Sequence, residues 1–183
     1  APWQKLVGQD HAAIRPETLW ACTTCRACVE ECPMLIEHVD AIVDMRRHET
    51  LEVGAIPEKL NEALINLRMT DNPRGADPAA RLDFAVDLKL PIVADVGSTD
   101  VLLWLSDGAF DLRSQKILQA FIRLLRKAGV DFAVLGNEER DSGDLARRLG
   151  DEATFQSLAR ANVATLARYD FKQIVTTDPH ALH

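Results

Sequence analysis

The chain has 183 residues, 47% of them hydrophobic, and a formal charge of −7 at pH 7. That is enough to bury a core, and the acidic balance excludes a surface that tracks nucleic-acid phosphates, which needs a basic stripe. No apolar run approaches the ~18–20 residues of a membrane span and no signal peptide is present, so these residues read as cytoplasmic, any membrane association belonging to a longer protein.

Residues 1–15, with Trp3, Leu6 and Val7, show no period and read as a lead-in. Pro16-Glu17-Thr18-Leu19-Trp20 predicts a helical turn with proline near its start, delivering Cys22. Trp20 is expected to pack beside whatever the cysteines hold. The next twelve residues, Cys22-Thr23-Thr24-Cys25-Arg26-Ala27-Cys28-Val29-Glu30-Glu31-Cys32-Pro33, contain all four cysteines in the pattern C-x2-C-x2-C-x3-C-P. This is the bacterial iron–sulfur run. Two-residue spacings let a short loop wrap thiolates around one face of a cubane, and the proline is expected to start the following helix. A zinc knuckle instead pairs two Cys units a dozen or more residues apart, and a disulfide framework suits small secreted domains. Cys22, Cys25, Cys28 and Cys32 are therefore the candidate ligands of one 4Fe-4S cluster. In two-cluster ferredoxins the fourth cysteine of a run ligates the other cluster. Cys32 thus either closes a single four-cysteine site or shares a second cluster whose other ligands lie outside these residues. The missing initiating Met and the stop at His183 favour a fragment.

After Pro33, Leu35, Ile36, Val39, Ile42 and Val43 recur at helical spacing, with Asp40, Asp44, Arg46 and Arg47 assigned to other faces and the helix ending before Gly54. Pro57-Glu58 opens a second helix with Leu60, Ala63, Leu64 and Leu67 as its stripe. Turn formers in Asp71-Asn72-Pro73-Arg74-Gly75 mark a boundary, dividing a helical iron–sulfur segment, 1–70, from a second domain, 71–183. A short helix around Arg81, Leu82, Phe84, Ala85 and Leu88 is expected to dock the two. Val101–Leu105 then reads as a strand buried on both faces, followed by a helix with Ile117, Ala120, Phe121, Leu124, Leu125 and Ala128 as its stripe and Gly129 as its stop. Strands at 132–135 and 173–176 and helices near 144–149 and 152–168 complete an α/β fold, a small parallel sheet with helices on its faces. Ligands of such sheets sit beyond the carboxyl ends of the strands, a rule that points at Asp107, Asp141 and Asp178-Pro179-His180. Gly108 alone is too little glycine for a phosphate-cradling turn.

Leu105-Ser106-Asp107-Gly108, Gly129-Val130-Asp131-Phe132, Leu135-Gly136, the Gly143–Gly150 stretch and Thr177-Asp178-Pro179-His180 resemble the cysteine-rich domain of heterodisulfide-reductase-type iron–sulfur proteins. The resemblance implies strand-end cysteines that hold a further iron–sulfur centre, but here Asp107, Asp141, Ser142, Asp178 and Ala181 stand in those positions. Carboxylates do not replace thiolates around sulfide-bridged iron, so this is a degenerate cysteine-rich domain lacking that centre. The variant with Asp107-Gly108-Ala109-Phe110-Asp111 and Asp178-Pro179-His180-Ala181-Leu182-His183 is similar to the iron–sulfur subunits of bacterial dimethylglycine demethylase and related N-methyl amino acid demethylases.

That resemblance implies an electron-transfer component rather than a stand-alone catalyst. Its expected partners are a flavin-bearing demethylase subunit, an electron-transfer flavoprotein, or both. The alternative is a docking or scaffold module with a structural cluster. A hard-metal or proton-handling site made by Asp107, Asp141, Asp178, His180 and His183 is weighed against aspartates that simply cap helices and tie down loops.

Overall fold

The computed structural model of the chain describes residues 6–8 and 12–182; Trp3 and His183 lie outside them. The fold is α/β, with a helical amino-terminal part packed against helices that flank a three-stranded parallel sheet. Helix α1 (Pro16–Ala21) leads to the cysteine loop, which contains one helical turn, α2 (Ala27–Glu30). Helix α3 (His38–His48) runs on as a π-helical turn at Glu49–Val53 and stops at Gly54. Helix α4 (Glu58–Thr70) follows Pro57 and buries Leu64 and Leu67, as its periodicity predicts.

Two expectations for this half are corrected. The helix expected from Pro33 begins only at His38, because Leu35 takes a left-handed backbone (φ 55°) that an α-helix cannot contain, and Met34, Leu35 and Ile36 stay exposed. Arg46, assigned to an outer face, lies on the buried one with Val39 and Met45.

Beyond the Asn72 turn the expected short helix is present at Pro78–Leu88, as a 3₁₀ helix kinked at Ala85. Its Leu82, Phe84 and Leu88 pack on the sheet core instead of docking two halves, and its Arg81 is fully buried. Helix α5 (Val93–Val96) is a single turn before strand β1 (Ser98–Trp104). Helix α6 (Leu112–Lys127) is capped by Asp111, whose side chain accepts the Ser114 amide at 2.9 Å. The stripe it buries is Leu118 and Ile122, with Phe121 and Leu125 half-buried. Ile117 and Leu124, expected inside, are exposed. Strand β2 (Phe132–Ala133), helix α7 (Asp144–Arg148), helix α8 (Glu152–Leu166) and strand β3 (Asp170–Thr176) complete the order, with a last 3₁₀ turn at Pro179–Leu182.

The sheet order is β2-β1-β3, all parallel, with Leu102 opposite Ala133 on one side and Ile174 on the other. Alternate residues of β1 face opposite sides, so it seeds two cores. Val101 and Leu103 join Leu118, Ile122 and Phe132 on the α6 side, while Leu102 and Trp104 join Val93, Ala133, Leu135 and Leu166 on the α8 side. A third core joins the parts: Leu64 and Leu67 of α4 meet Ala146 and Leu149 of α7 and Leu158 of α8. Each fully buried leucine contributes about 2 kcal/mol from apolar area. Among the described residues no helix is long and apolar enough to cross a membrane.

Candidate functional site: the cysteine loop

Leu19 anchors the entry to the loop by packing on Val7 and Met45. Helix α1 ends at Ala21, and Cys22 turns extended (φ −67°, ψ 126°). Thr24 (φ 57°) and Arg26 (φ 63°) then adopt left-handed backbone, unusual for residues with a side chain, so the loop turns sharply at both. The reversals aim amides at sulfur. The Thr24 N–H donates to Cys22 Sγ at 3.3 Å. The Ala27 amide, with help from the Thr23 side chain, holds the Cys25 thiol below its ordinary pKa, and the Ile36 and Met34 amides do the same for Cys32. This accounts for the late start of α3: its preceding amides serve Cys32 rather than a helix. Cys25 and Cys28 are exposed, Cys22 and Cys32 half-buried, and all four are free thiols.

The loop is tied down from beneath by Arg46, which is 3% exposed. Its Nη2 donates to the carbonyls of Leu19 (2.8 Å) and Cys22 (2.6 Å), its Nη1 to the carbonyl of Arg148 (3.1 Å), and it stacks on Trp20 at 5.2 Å. Trp20 packs against the core that contains Leu64 and Leu67 and covers this guanidinium, which is itself bonded to the Cys22 carbonyl. Sequence reasoning missed Arg46, although its spacing from Val39 and Ile42 (i, i+3, i+7) puts it on their stripe. A groove of about 820 Å³ runs from Thr24, Cys25 and Arg26 to Arg147, Pro179 and His180, so the loop and the last strand-end turn share a wall.

The strand-end residues do come together. Asp178 accepts the Ser106 hydroxyl at 2.5 Å and the His180 amide at 2.9 Å. Asp107 pairs with Arg74 at 3.4 Å, and His180 Nδ1 lies 3.3 Å from Asp144. Asp141 closes a tight turn on the Gly143 amide at 2.7 Å. Burial pushes its carboxyl up to about 6, with Asp107 and Asp178 adding to the rise. Below them lies a pair the sequence did not announce. Arg81 and Glu139, both buried, meet at 3.1 Å, and Glu139 also accepts the Leu105 and Ser106 amides. Burial raises the Glu139 carboxyl to about 7 against the pull of Arg81 and those amides.

Among the described residues no three His, Cys, Asp or Glu side chains are grouped around one metal-ion position. In this arrangement Asp178 holds the Ser106 hydroxyl and the His180 amide, and Asp141 holds the Gly143 amide, each within or between the strand-end loops. A cluster attaches each thiolate to its own iron, and four free thiols, with amides directed at the sulfurs of Cys22, Cys25 and Cys32, suit that donor set.

The chain is 69% identical over 172 residues to a "Probable membrane-anchored ferredoxin" of Chromohalobacter salexigens, a match covering 94% of this chain and 26% of that protein. It is 43% identical over 176 residues to the "Probable iron-sulfur-binding oxidoreductase FadF" of Bacillus subtilis (92% and 25%). It is 39% identical over 173 residues to the "EtfAB:quinone oxidoreductase" of Syntrophomonas wolfei (91% and 24%). The chain thus spans about a quarter of the length of these relatives, and none of the three is named a demethylase. No family model matches it, and no solved structure matches it significantly.

Proposed function

We propose that Cys22, Cys25, Cys28 and Cys32 hold a 4Fe-4S cluster, and that the chain is an electron-transfer segment of a flavin-linked oxidoreductase. Residues 1–70 carry the cluster and residues 71–183 form its platform. The observation that carries this reading is the cysteine run whose left-handed turns direct amides at sulfur. Such a cluster supplies one-electron transfer with no bond chemistry on the protein. The chain's own residues lower the pKa of the Cys25 and Cys32 thiols through backbone amides and fix the loop through Arg46. Cys32 has Met34, Leu35 and Ile36 exposed beside it and is where a second cluster of a longer protein would share ligands.

The electron donor in this reading is the reduced flavin of an N-methyl amino acid demethylase of the dimethylglycine type. An electron-transfer flavoprotein or a membrane acceptor takes the electrons on; the name of the Syntrophomonas relative joins a flavoprotein and quinone, with quinone on the accepting side, and so supports the membrane acceptor. The protein then works on the cytoplasmic side of a membrane. Anaerobic reconstitution should yield iron, acid-labile sulfide and a visible band bleached by dithionite, all lost in Cys25→Ser; colourless protein after reconstitution sinks the reading. A scaffold role has one observation in its favour, the closure of the strand-end loops by aspartates. It is preferred if a reduced flavoprotein forms a complex with the loaded protein yet leaves the band unbleached.

A further inference from the structure

We propose that Arg46 is a positioning residue for the electron-transfer group, clamping the cysteine loop through its backbone and setting the reduction potential through its fixed charge. This rests on the cluster reading above.

All four of its hydrogen bonds go to uncharged carbonyls: Leu19 twice, at 2.8 and 3.3 Å, Cys22 at 2.6 Å and Arg148 at 3.1 Å. Among the described residues no carboxylate lies within ion-pair distance of it, unlike the other buried arginine, Arg81, which has Glu139. A guanidinium taken out of water without an anion is costly, and arginine does not escape the cost by losing its proton. Arg46 is instead bonded, at 2.6 Å, to the backbone carbonyl of Cys22, a ligand in the cluster reading. Three carbonyls orient the cation, and the anion it lacks among carboxylates is supplied at the cysteine loop.

A cluster bound by four thiolates is an anion in either oxidation state. When one electron leaves a reduced flavin and arrives there, no bond forms or breaks and the net negative charge grows by one. A cation held close to one ligand, in a partly desolvated position, favours the more negative state and so raises the potential. Trp20, stacked on the guanidinium, keeps water from screening it.

The test is a redox titration of the reconstituted 183-residue chain, followed by visible absorbance and electron paramagnetic resonance, in the parent, Arg46→Gln and Arg46→Lys. The Gln variant should be harder to reduce by roughly tenfold in the one-electron equilibrium, about 59 mV. The Lys variant, which keeps the charge but not the fork, should hold the parent's potential while losing iron faster to a chelator. A Gln variant at the parent's potential, or a Lys variant displaced as far as Gln, overturns the proposal. Should the Gln variant retain no iron, the Lys variant decides alone: a cluster that titrates at the parent's potential supports the proposal, however fast a chelator strips it, and a shifted potential or a failure to take up iron on reconstitution overturns it. A parent that takes up no iron refutes the cluster reading itself, and this inference with it. A reducible parent with unaffected variants refutes only the role of Arg46.

Discussion

At the scale of single residues, the strand-end aspartates are informative because each is used differently. Asp178 is bonded to Ser106, Asp107 is half-exposed beside Arg74, and Asp141 is buried with only the Gly143 amide on its carboxylate. The folded pKa of Asp141, about 6, lies above the ordinary 3.8, so between those values the native state binds the extra proton. Its contribution to stability is therefore full below about pH 4 and lost as pH rises through about 6. Asp141→Asn keeps the acceptor for Gly143 and removes the charge. It should raise thermal stability at pH 7.5 by on the order of 2 kcal/mol, with the gap to the parent closing in melts at pH 4. A parent curve that is flat from pH 4 to 7.5 while Asn changes nothing would contradict the burial argument. Sequence alone placed these residues at the strand ends, but the Arg81–Glu139 pair beneath them was hidden in polar loop residues with no pattern.

The decisive element is α3, which touches both the cysteine loop and the sheet half. Gly150, in the turn between α7 and α8, has φ +87° and backs directly onto it: a Cβ there would stand 2.4 Å from the Arg47 amide nitrogen and 2.5 Å from the Arg46 carbonyl carbon. Neither is the movable end of a side chain, so helix and turn would have to separate. Thr50, donating to the Leu149 carbonyl at 2.7 Å, seals the same junction. Gly150→Ala should cost about 3 kcal/mol or more, read as a lowered denaturation midpoint, and should speed iron loss from the reconstituted protein by pulling Arg46 from the Arg148 carbonyl. An alanine variant with parental stability would mean the turn is free to move. The periodicity of α3 was legible but its start was not, because three amides before it are committed to Cys32.

On the scale of the whole molecule, the core shared by α4, α7 and α8 makes the helical and sheet parts depend on one another. Leu67 is fully buried there, and Leu67→Ala should remove about 2–5 kcal/mol. Hydrogen exchange should then accelerate together in α4 and in β1, although β1 does not contain the mutation. Acceleration confined to α4 would mean that the two parts open independently.

The candidate thiol site and the class of fold were written in local spacing: four cysteines within eleven residues, and apolar runs alternating between strand and helix periods, require only near neighbours in the chain. Which face of α6 is buried, why Arg46 points inward, and where Glu139 finds its partner were settled by packing. Leu118 and Ile117 are equally apolar, and only the sheet laid against α6 chooses between them. Arg46 is charged, and only carbonyls brought together from residues 19, 22 and 148 make its burial tolerable. Interactions spanning 102 residues, as between Arg46 and Arg148, leave no local pattern, because their energy exists only once the chain has closed around them.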